Sequence, residues 1–264
     1  MAKKNRKHRG WKIFFLTVAV MVVAVAAAGC VLWQRLSEGQ KQEVEAQILL
    51  IWNNMSKSRE PYDSKKFDGI DVSHWNGIIN WEKIGKYENL KFVYIKATEG
   101  AKVSDCRYRR NLEGAKKQHL RVGSYHLLST QSSVRAQFEN FKRHVDCSEQ
   151  DLIPMLDIEA GIDWRGQQLR DSVALFSSLV KKHYGKKPLI YASHDFYNAH
   201  LSPRFDDHHL FIARYGQKPR LKSGAAHQLW QSSNYGRLQG MPFYAFTDFI
   251  RLQNGTSVEK LRLR

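Results

Sequence analysis

Short apolar runs recur along the chain from residue 67 onward, and each is long enough for one strand. Between several of them, apolar residues recur at i, i+4 and i+7, the spacing of a helix with one apolar face. Strands that alternate with such helices indicate βα units and a parallel sheet. The predicted strands are Gly69–Val72, Phe92–Ile95, Val122–Tyr125, Ile153–Ile158, Leu189–Tyr191, Leu210–Ala213, Gln228–Trp230 and Phe243–Phe249. The apolar helix positions are Tyr108, Leu112 and Ala115, then Val134, Phe138, Phe141 and Val145, then Leu169, Val173, Phe176 and Val180.

Eight strands with intervening helices predict an α/β fold in which residues 67–264 form a (β/α) barrel. Barrels of this type usually need about 250 residues. Because this segment is shorter, we expect some of the covering helices to be missing or vestigial. In a closed barrel the first and last strands are neighbours, so residues at their ends are expected to face one cleft.

The N-terminal region has a different pattern, that of a membrane anchor. Residues 13–33 carry no charged side chain and would rise about 30 Å as a helix, the thickness of the hydrocarbon core of a bilayer. The basic segment 1–12 is expected to remain cytoplasmic by the positive-inside rule, which places the later residues outside. A lipoprotein signal is the alternative, because Ala28-Gly29-Cys30 partly resembles a lipidation site. Either interpretation predicts a membrane-tethered, extracytoplasmic protein.

Residues 34–66 are predicted to be a stalk between this anchor and the barrel. They are mostly polar, and their one amphipathic stretch places Val44, Ile48 and Ile51 on one side. Pro61 and the charged residues after it mark the boundary before Phe67 and the predicted barrel.

The charge and the cysteines narrow the possible partners. The chain has 42 Lys and Arg against 25 Asp and Glu, a net charge of +17. On an exported domain this charge predicts affinity for anionic cell-envelope polymers rather than for nucleic acid. The cysteines are too few and too scattered for a disulfide scaffold or a zinc ribbon, so no metal or cofactor is predicted. Cys106 and Cys147 are expected to form a disulfide in an oxidising compartment, and two buried thiols are the alternative.

Two carboxylates end the predicted strand that contains Leu156. Residues i and i+2 of a strand point to the same face, so Asp157 and Glu159 would project together from its carboxyl end. In a (β/α) barrel that end is the catalytic rim. Crowding two acids raises the proton affinity of one of them, as general acid catalysis requires. Solvated or salt-bridged carboxylates are the alternative interpretation.

Asp71 and Asp248 repeat this arrangement on the first and last predicted strands. All four carboxylates are therefore expected to face one cleft. For either outer residue alone, a helix N-cap or a buried ion pair remains the alternative.

The motifs around these acids resemble those of the glycoside hydrolase family 25 lysozymes. In family order they are Gly69–Trp75 with Ile79–Trp81, Ile95–Gly100, Gly123–His126, Asp157–Glu159, Ile190-Tyr191 and Trp230-Gln231. The resemblance covers about residues 67–255 and implies a flattened, irregular β/α barrel. It implies an N-acetylmuramidase that cuts the β-1,4 bond after N-acetylmuramic acid in peptidoglycan. Glu159 then resembles the general acid, Asp157 its partner, and Asp71 and Asp248 the outer acids of the groove.

The resemblance also implies that Glu99, Tyr125 and Trp230 line the groove, and Tyr191 is a further candidate for stacking on sugar. Three motifs depart from the family pattern, since Thr247 precedes Asp248, Leu127 follows His126 and Ser232 follows Gln231. The competing hypotheses are a non-catalytic peptidoglycan-binding scaffold and, with His126 as a ligand, a zinc-dependent deacetylase.

Overall fold

A computed structural model of the chain describes residues 33–42, 44, 45, 48, 67–159, 166–242 and 245–264. The basic segment 1–12, residues 13–32 of the predicted anchor and most of the predicted stalk lie outside these residues. No helix within the described residues is both long and apolar enough to cross a bilayer.

The described residues between 69 and 252 contain nine strands. They are β1 (Gly69–Val72), β2 (Phe92–Glu99), β3 (Val103–Ser104), β4 (Arg121–Leu127), β5 (Met155–Asp157), β6 (Leu189–Ser193), β7 (Leu210–Ala213), β8 (Leu229–Gly236) and β9 (Thr247–Leu252). Eight of the strands close into a barrel in the order β1-β2-β4-β5-β6-β7-β8-β9, and β9 pairs again with β1. The short strand β3 pairs only with the end of β2. An eight-stranded α/β barrel is therefore confirmed.

The helices lie in the connections between strands. They are α1 (Trp81–Ile84), α2 (Tyr108–Lys117), α3 (Val134–His144), α4 (Gly166–Tyr184) and α5 (His194–Phe196), which continues as a π-helical turn over Tyr197–Leu201. Short 3-10 helices span His74–Asn76, Cys147–Glu149 and Val258–Leu261. The three amphipathic helices predicted from spacing are α2, α3 and α4, whereas the described residues between β7 and β8 contain no helix. The expectation of missing helices is confirmed there.

The last strand differs from the prediction. β9 begins at Thr247 rather than at residue 243, and it runs antiparallel to both β1 and β8. The other barrel pairings are parallel. Because β9 is reversed, Asp248 lies near its start, and that start is at the carboxyl ends of the neighbouring strands. The predicted proximity of Asp248 to Asp71 is found, although the strand direction assumed for it was wrong.

Helices α3 and α4 cover the barrel through aromatic packing around β4. The ring of His126 stacks on Phe176 of α4 with centroids 5.0 Å apart, and Phe141 of α3 meets it edge-on at 6.0 Å. Both ring nitrogens of His126 are hydrogen-bonded, to Thr98 at 2.8 Å and to Gln137 at 3.1 Å. Burial lowers the pKa of His126 to about 4. His126 is therefore a neutral core residue, and the metal-ligand alternative for it is wrong.

The expected disulfide between Cys106 and Cys147 is not present. Cys106 follows β3 and precedes the first turn of α2, whereas Cys147 begins the 3-10 helix after α3. The sulfur of Cys147 lies 4.0 Å from the carbonyl oxygen of His183 at the end of α4. The structure thus does not join these two cysteines, which their positions in the sequence alone could not decide.

A testable prediction concerns the contact between α1 and α2. A Cβ added at Gly114 would lie 2.1 Å from the ring of Trp81, which is buried. The gain of about 1 kcal/mol in helix propensity for Gly114→Ala is then outweighed by overpacking, which typically costs about 1–3 kcal/mol. Urea denaturation should show a lower free energy of unfolding for this variant. Glu113→Ala is the control, because Glu113 is the neighbouring residue of α2 and is exposed; an equal loss in both variants contradicts the packing argument.

Candidate active site

The four predicted acids meet at the carboxyl ends of the parallel strands. Asp71 of β1 and Asp248 of β9 are direct partners in the antiparallel register. Asp157 is the last residue of β5, and Glu159 lies two residues further on. Electrostatic repulsion from Asp248, Asp157 and Glu159 raises the pKa of Asp71, after the larger effect of its burial. The structure therefore brings Asp71, Asp157, Glu159 and Asp248 into one site.

Asp71 and Asp248 share a hydrogen bond, and its direction follows from their surroundings. Burial, the charge of Asp248 and this hydrogen bond all raise the pKa of Asp71, whereas the same bond and one from Gln231 oppose the rise that burial causes in the pKa of Asp248. Asp71 therefore keeps its proton, and its hydroxyl donates a hydrogen bond to the Asp248 carboxylate. The Gln231 amide also donates to Asp248, and its oxygen accepts from the Tyr191 hydroxyl at 2.5 Å.

Asp157 and Glu159 differ in exposure. Asp157 is buried, and its Oδ1 has no hydrogen-bond partner among the described residues, whereas Glu159 is exposed at the rim. Burial is the main cause that raises the pKa of Asp157, and repulsion from Glu159 adds to it. Partial burial also raises the pKa of Glu159, with further contributions from Glu99 and Asp248. A buried acceptor without a donor is costly, so Asp157 is suited to accept a hydrogen bond from a ligand.

Lys96 is the cation of this acidic site. Its side chain is 8% exposed, and its Nζ lies 2.7 Å from Glu99 Oε2 at the end of β2. The positive charge opposes the rise in the pKa of both Asp157 and Glu159. Glu99 thus lies near the catalytic candidates, as predicted, and it holds the lysine that the sequence reasoning left without a role.

The loop after β1 is fixed by a network beneath Asp71. Asp105 Oδ2 accepts hydrogen bonds from the backbone N–H of His74 at 2.9 Å and from its Nδ1 at 2.6 Å. The Arg107 guanidinium donates to the His74 carbonyl at 2.8 Å. Asn76 closes a capping box with Ser73 and donates to the Phe246 carbonyl, just before β9. These contacts hold the ends of β1 and β9 together, which keeps Asp71 facing Asp248.

Aromatic residues surround the carboxylates at two depths. Tyr125 is 8% exposed, and burial followed by the charge of Asp71 raises its pKa. Burial and the charge of Asp157 likewise raise the pKa of Tyr191. Both phenols therefore stay neutral and can donate hydrogen bonds. Tyr215 and Trp75 are more open, at 50% and 38% exposed, and Tyr215 lies within electrostatic range of Asp248 and Glu159.

Trp230 does not join the other predicted residues. Side chains alternate along a strand, and its neighbour Gln231 is the one that reaches Tyr191 and Asp248. Trp230 packs instead beneath the Arg251 guanidinium, 5.4 Å from the ring centroid, and donates from Nε1 to the Arg214 carbonyl at 2.7 Å. The sequence motif suggested that Trp230 lines the groove. Because side chains alternate along the strand, Gln231 is the residue that points to the site.

Lys96 and Gln231 are the site residues that the sequence reasoning missed. A usable signal existed for Lys96, because it stands three residues before Glu99 at a strand end. For Gln231 the signal was that it and Trp230 must face opposite sides of the strand. Choosing between them required knowing which side of the strand faces the site. Within the described residues, no three His, Cys, Asp or Glu side chains are arranged to hold a metal ion.

Comparisons with known proteins identify the family to which this chain is similar. The family model for glycosyl hydrolases family 25 matches residues 70–241, well over half of the chain. The chain is 34% identical to the uncharacterized protein YegX of Escherichia coli K12 over 177 residues, which is 66% of this chain and 65% of YegX. It is 31% identical to lysozyme M1 of Streptomyces globisporus over 202 residues, which is 69% of this chain and 66% of that protein. The chain thus spans about two thirds of the length of these relatives.

Solved structures show the same barrel. A family 25 glycosyl hydrolase from Bacillus anthracis matches with a TM-score of 0.64 and 28% identity, covering 74% of this chain and 91% of that one. The bacterial lysozyme from Streptomyces coelicolor matches with a TM-score of 0.64 and 28% identity, covering 75% and 96%. By its sequence match over residues 70–241 and its barrel, this chain belongs to glycosyl hydrolase family 25.

Proposed function

We propose that this protein is an N-acetylmuramidase that hydrolyses the β-1,4 bond between N-acetylmuramic acid and N-acetylglucosamine in peptidoglycan. One observation carries the proposal: exposed Glu159 lies beside buried Asp157, whose Oδ1 has no partner among the described residues. Family membership supports glycoside hydrolase chemistry for this pair of acids. Lysozyme M1 and the lysozyme from Streptomyces coelicolor support peptidoglycan as the substrate.

Glu159 acts as the general acid in this proposal. A general acid must carry a proton near the working pH, and the raised pKa of Glu159 provides this. Its position at the open rim suits contact with the oxygen of the bond being cut. After the leaving group departs, the same carboxylate accepts a proton from the attacking water.

Asp157 acts on the 2-acetamido group of N-acetylmuramic acid. Asp157 and Glu159 come from one strand end, so both approach the sugar from the same side, whereas a carboxylate nucleophile must attack from the face opposite the leaving group. The acetamido carbonyl oxygen attacks the anomeric carbon instead. Asp157 accepts a hydrogen bond from the acetamido N–H and stabilises the positive charge that develops there.

The proposal also covers how the protein is attached to the membrane and what it does in the cell. The uncharged segment 13–33 anchors the protein, with residues 1–12 in the cytoplasm, residues 34–66 as a stalk and the barrel outside. Lipidation at Cys30 is the alternative attachment. In this location the enzyme remodels or degrades the cell wall, and its positive charge aids contact with anionic envelope polymers. The competing function is a peptidoglycan-binding scaffold without turnover.

Product analysis tests the bond specificity. Incubation of purified peptidoglycan with the protein should release fragments with reducing N-acetylmuramic acid, identified by mass spectrometry after borohydride reduction. Glu159→Gln should lower turnover by about 10²-fold or more while pull-down on peptidoglycan persists. The control is Glu113→Gln on the exposed face of α2, which should retain full activity. Intact glycan with the wild-type protein supports the scaffold, and reducing N-acetylglucosamine contradicts the proposed bond.

The role of the acetamido group has a separate test. Glycan whose muramic acid amines are free lacks the attacking carbonyl, so it should be cleaved far more slowly than its re-acetylated form. NMR of the first products should show retained anomeric configuration. Inverted products, or a covalent sugar ester on Asp157, would rule out this mechanism.

Lys96 predicts a shift in the pH profile. Its charge lowers the pKa of Asp157 and Glu159, so Lys96→Met should raise both. Activity depends on protonated Glu159 and is lost as the pH rises through the pKa of that group. Both limbs of kcat/KM against pH should therefore move to higher pH in the variant. Lys91→Met, which removes an exposed lysine paired with Asp68 at the other end of the barrel, should leave the profile in place; a downward shift in Lys96→Met contradicts the assignment.

The carboxyl group of Asp71 is expected to lower the stability of the fold at neutral pH. Its folded pKa is raised, so as the pH rises above the unfolded value of about 3.9 the unfolded state releases its proton first and the fold is weakened. Asp71→Asn removes this effect and should raise Tm near neutral pH, by roughly 2–4 °C for each kcal/mol gained. The advantage should shrink as the pH falls toward 4. Asp195→Asn, at a carboxylate 99% exposed, should not change Tm; a lower Tm for Asp71→Asn at neutral pH contradicts the argument.

A further inference from the structure

A buried glutamine joins the chain before the barrel to the catalytic end of the barrel. Gln42 lies within the predicted stalk, and only 6% of it is exposed. Its Oε1 accepts a hydrogen bond of 2.7 Å from the backbone N–H of Cys106. Cys106 lies between β3 and α2, and β3 pairs with the end of β2 that carries Glu99. The contact is therefore made at the end of the barrel where the catalytic candidates lie.

The contact depends on the amide of Gln42 rather than on the apolar residues that follow it. Val44 and Ile48 are exposed, at 37% and 59%, so the apolar side predicted from the sequence is not what covers the barrel at these two positions. A glutamine side chain is seldom buried unless its polar atoms find hydrogen-bond partners. The backbone N–H of Cys106 is such a partner, which makes Gln42 a specific point of attachment.

The residues on either side of Cys106 hold the loop after β1. Asp105 precedes it, and Oδ2 of Asp105 accepts hydrogen bonds from the backbone N–H and the Nδ1 of His74. Arg107 follows it and donates to the His74 carbonyl at 2.8 Å. The backbone N–H of Asp105 in turn donates to the Ala97 carbonyl of β2 at 2.9 Å. Gln42 is thus attached to the middle residue of the 105–107 loop, whose two outer residues hold His74.

The loop after β1 in turn fixes the pair of Asp71 and Asp248. Asn76, in the 3-10 helix of this loop, donates to the Phe246 carbonyl at 2.5 Å. The next residue, Thr247, donates from its hydroxyl to the Asp71 carbonyl at 2.8 Å. Phe246 and Thr247 directly precede Asp248 in the chain. A series of hydrogen bonds and short chain segments therefore connects Gln42 with two of the four acids.

We propose that Gln42 is a positioning residue of the active site. By holding the 105–107 loop, it keeps His74 and the loop after β1 in the arrangement that places Asp71 against Asp248. Small displacements of catalytic groups are costly in rate, so the chain before the barrel influences turnover. The match to the family model begins at residue 70, so the contact comes from outside the matched region. The inference rests on the proposed function for its effect on turnover and is independent of the proposed anchor.

Kinetics of the full-length chain on soluble peptidoglycan fragments test the effect on turnover. Gln42→Met removes the acceptor and nearly keeps the volume of the side chain. It should lower kcat by about three- to ten-fold, the factor that corresponds to one hydrogen bond, and leave KM within about two-fold, because the displaced acid acts at the reacting centre. Gln40→Met, at an exposed glutamine two residues earlier, is the control and should change neither. An unchanged kcat in Gln42→Met, a rise in KM alone, or an equal loss in both variants overturns the proposal.

A crosslink tests whether reattaching the segment restores turnover. Gln42→Cys removes the amide and places a thiol near the exposed thiol of Cys106. Dibromobimane, which joins two nearby thiols, should link positions 42 and 106, as peptide mapping by mass spectrometry would show. The link should recover most of the turnover that Gln42→Cys loses, whereas the reagent should leave the turnover of the wild-type protein unchanged. Val44→Cys, at an exposed position, should link to Cys106 much more slowly. Equal linking of both variants refutes the contact, and linking without recovery of turnover refutes the positioning role.

Hydrogen exchange separates this proposal from the proposed function, because it needs no catalysis. In Gln42→Met the backbone amides of residues 73–77 and 105–107 should exchange faster than in the wild-type protein, whereas those of β6 should not change. Equal acceleration in β6 indicates general loss of stability and refutes the positioning role, as does unchanged exchange at 73–77. Wild-type protein that leaves peptidoglycan intact refutes the proposed function, and the exchange at 73–77 then decides by itself whether Gln42 positions the site.

Discussion

Repulsion among four clustered carboxyl groups is the constraint on which the rest of the site depends. Four acids lie within electrostatic range of one another at the ends of β1, β5 and β9, and burial is the first cause that raises the pKa of each. Such a cluster weakens a fold above the ordinary pKa of its acids. It persists because the strands fix its members, Lys96 supplies one positive charge, and Asp71 shares its proton with Asp248. Proteins commonly give up stability in this way at sites of chemistry.

The closing strand makes this arrangement possible. Because β9 is antiparallel, Asp248 at its start meets Asp71 at the end of β1. The hydroxyl of Thr247 donates to the Asp71 carbonyl at 2.8 Å, and Asn76 bonds the residue before it. On the other side, Gln231 connects Asp248 with Tyr191. The pair is thus held from three directions, and Asp157 and Glu159 face it from β5.

The distribution of charge over the barrel links the site to its surroundings. The acids and the lysines of the helix ends lie at opposite ends of the barrel. The acids are at the carboxyl ends of the parallel strands, and the lysines are in the last turns of α2, α3 and α4, which end where the strands begin. A large net positive charge is therefore compatible with an acidic site, because the two lie apart. The total charge by itself did not reveal that the acids gather at one end of the barrel.

The sequence by itself determined the barrel, its three amphipathic helices and the four acids, because strand and helix periodicities are local and the motif around Asp157 and Glu159 places both on one strand end. Only the tertiary structure decided the direction of β9, the separation of Cys106 from Cys147, the outward position of Trp230 and the core role of His126. Each depends on which neighbour a side chain meets across the sheet or beneath a helix. Lys96 and Gln231 belong to the same class, since their importance comes from partners distant in the chain.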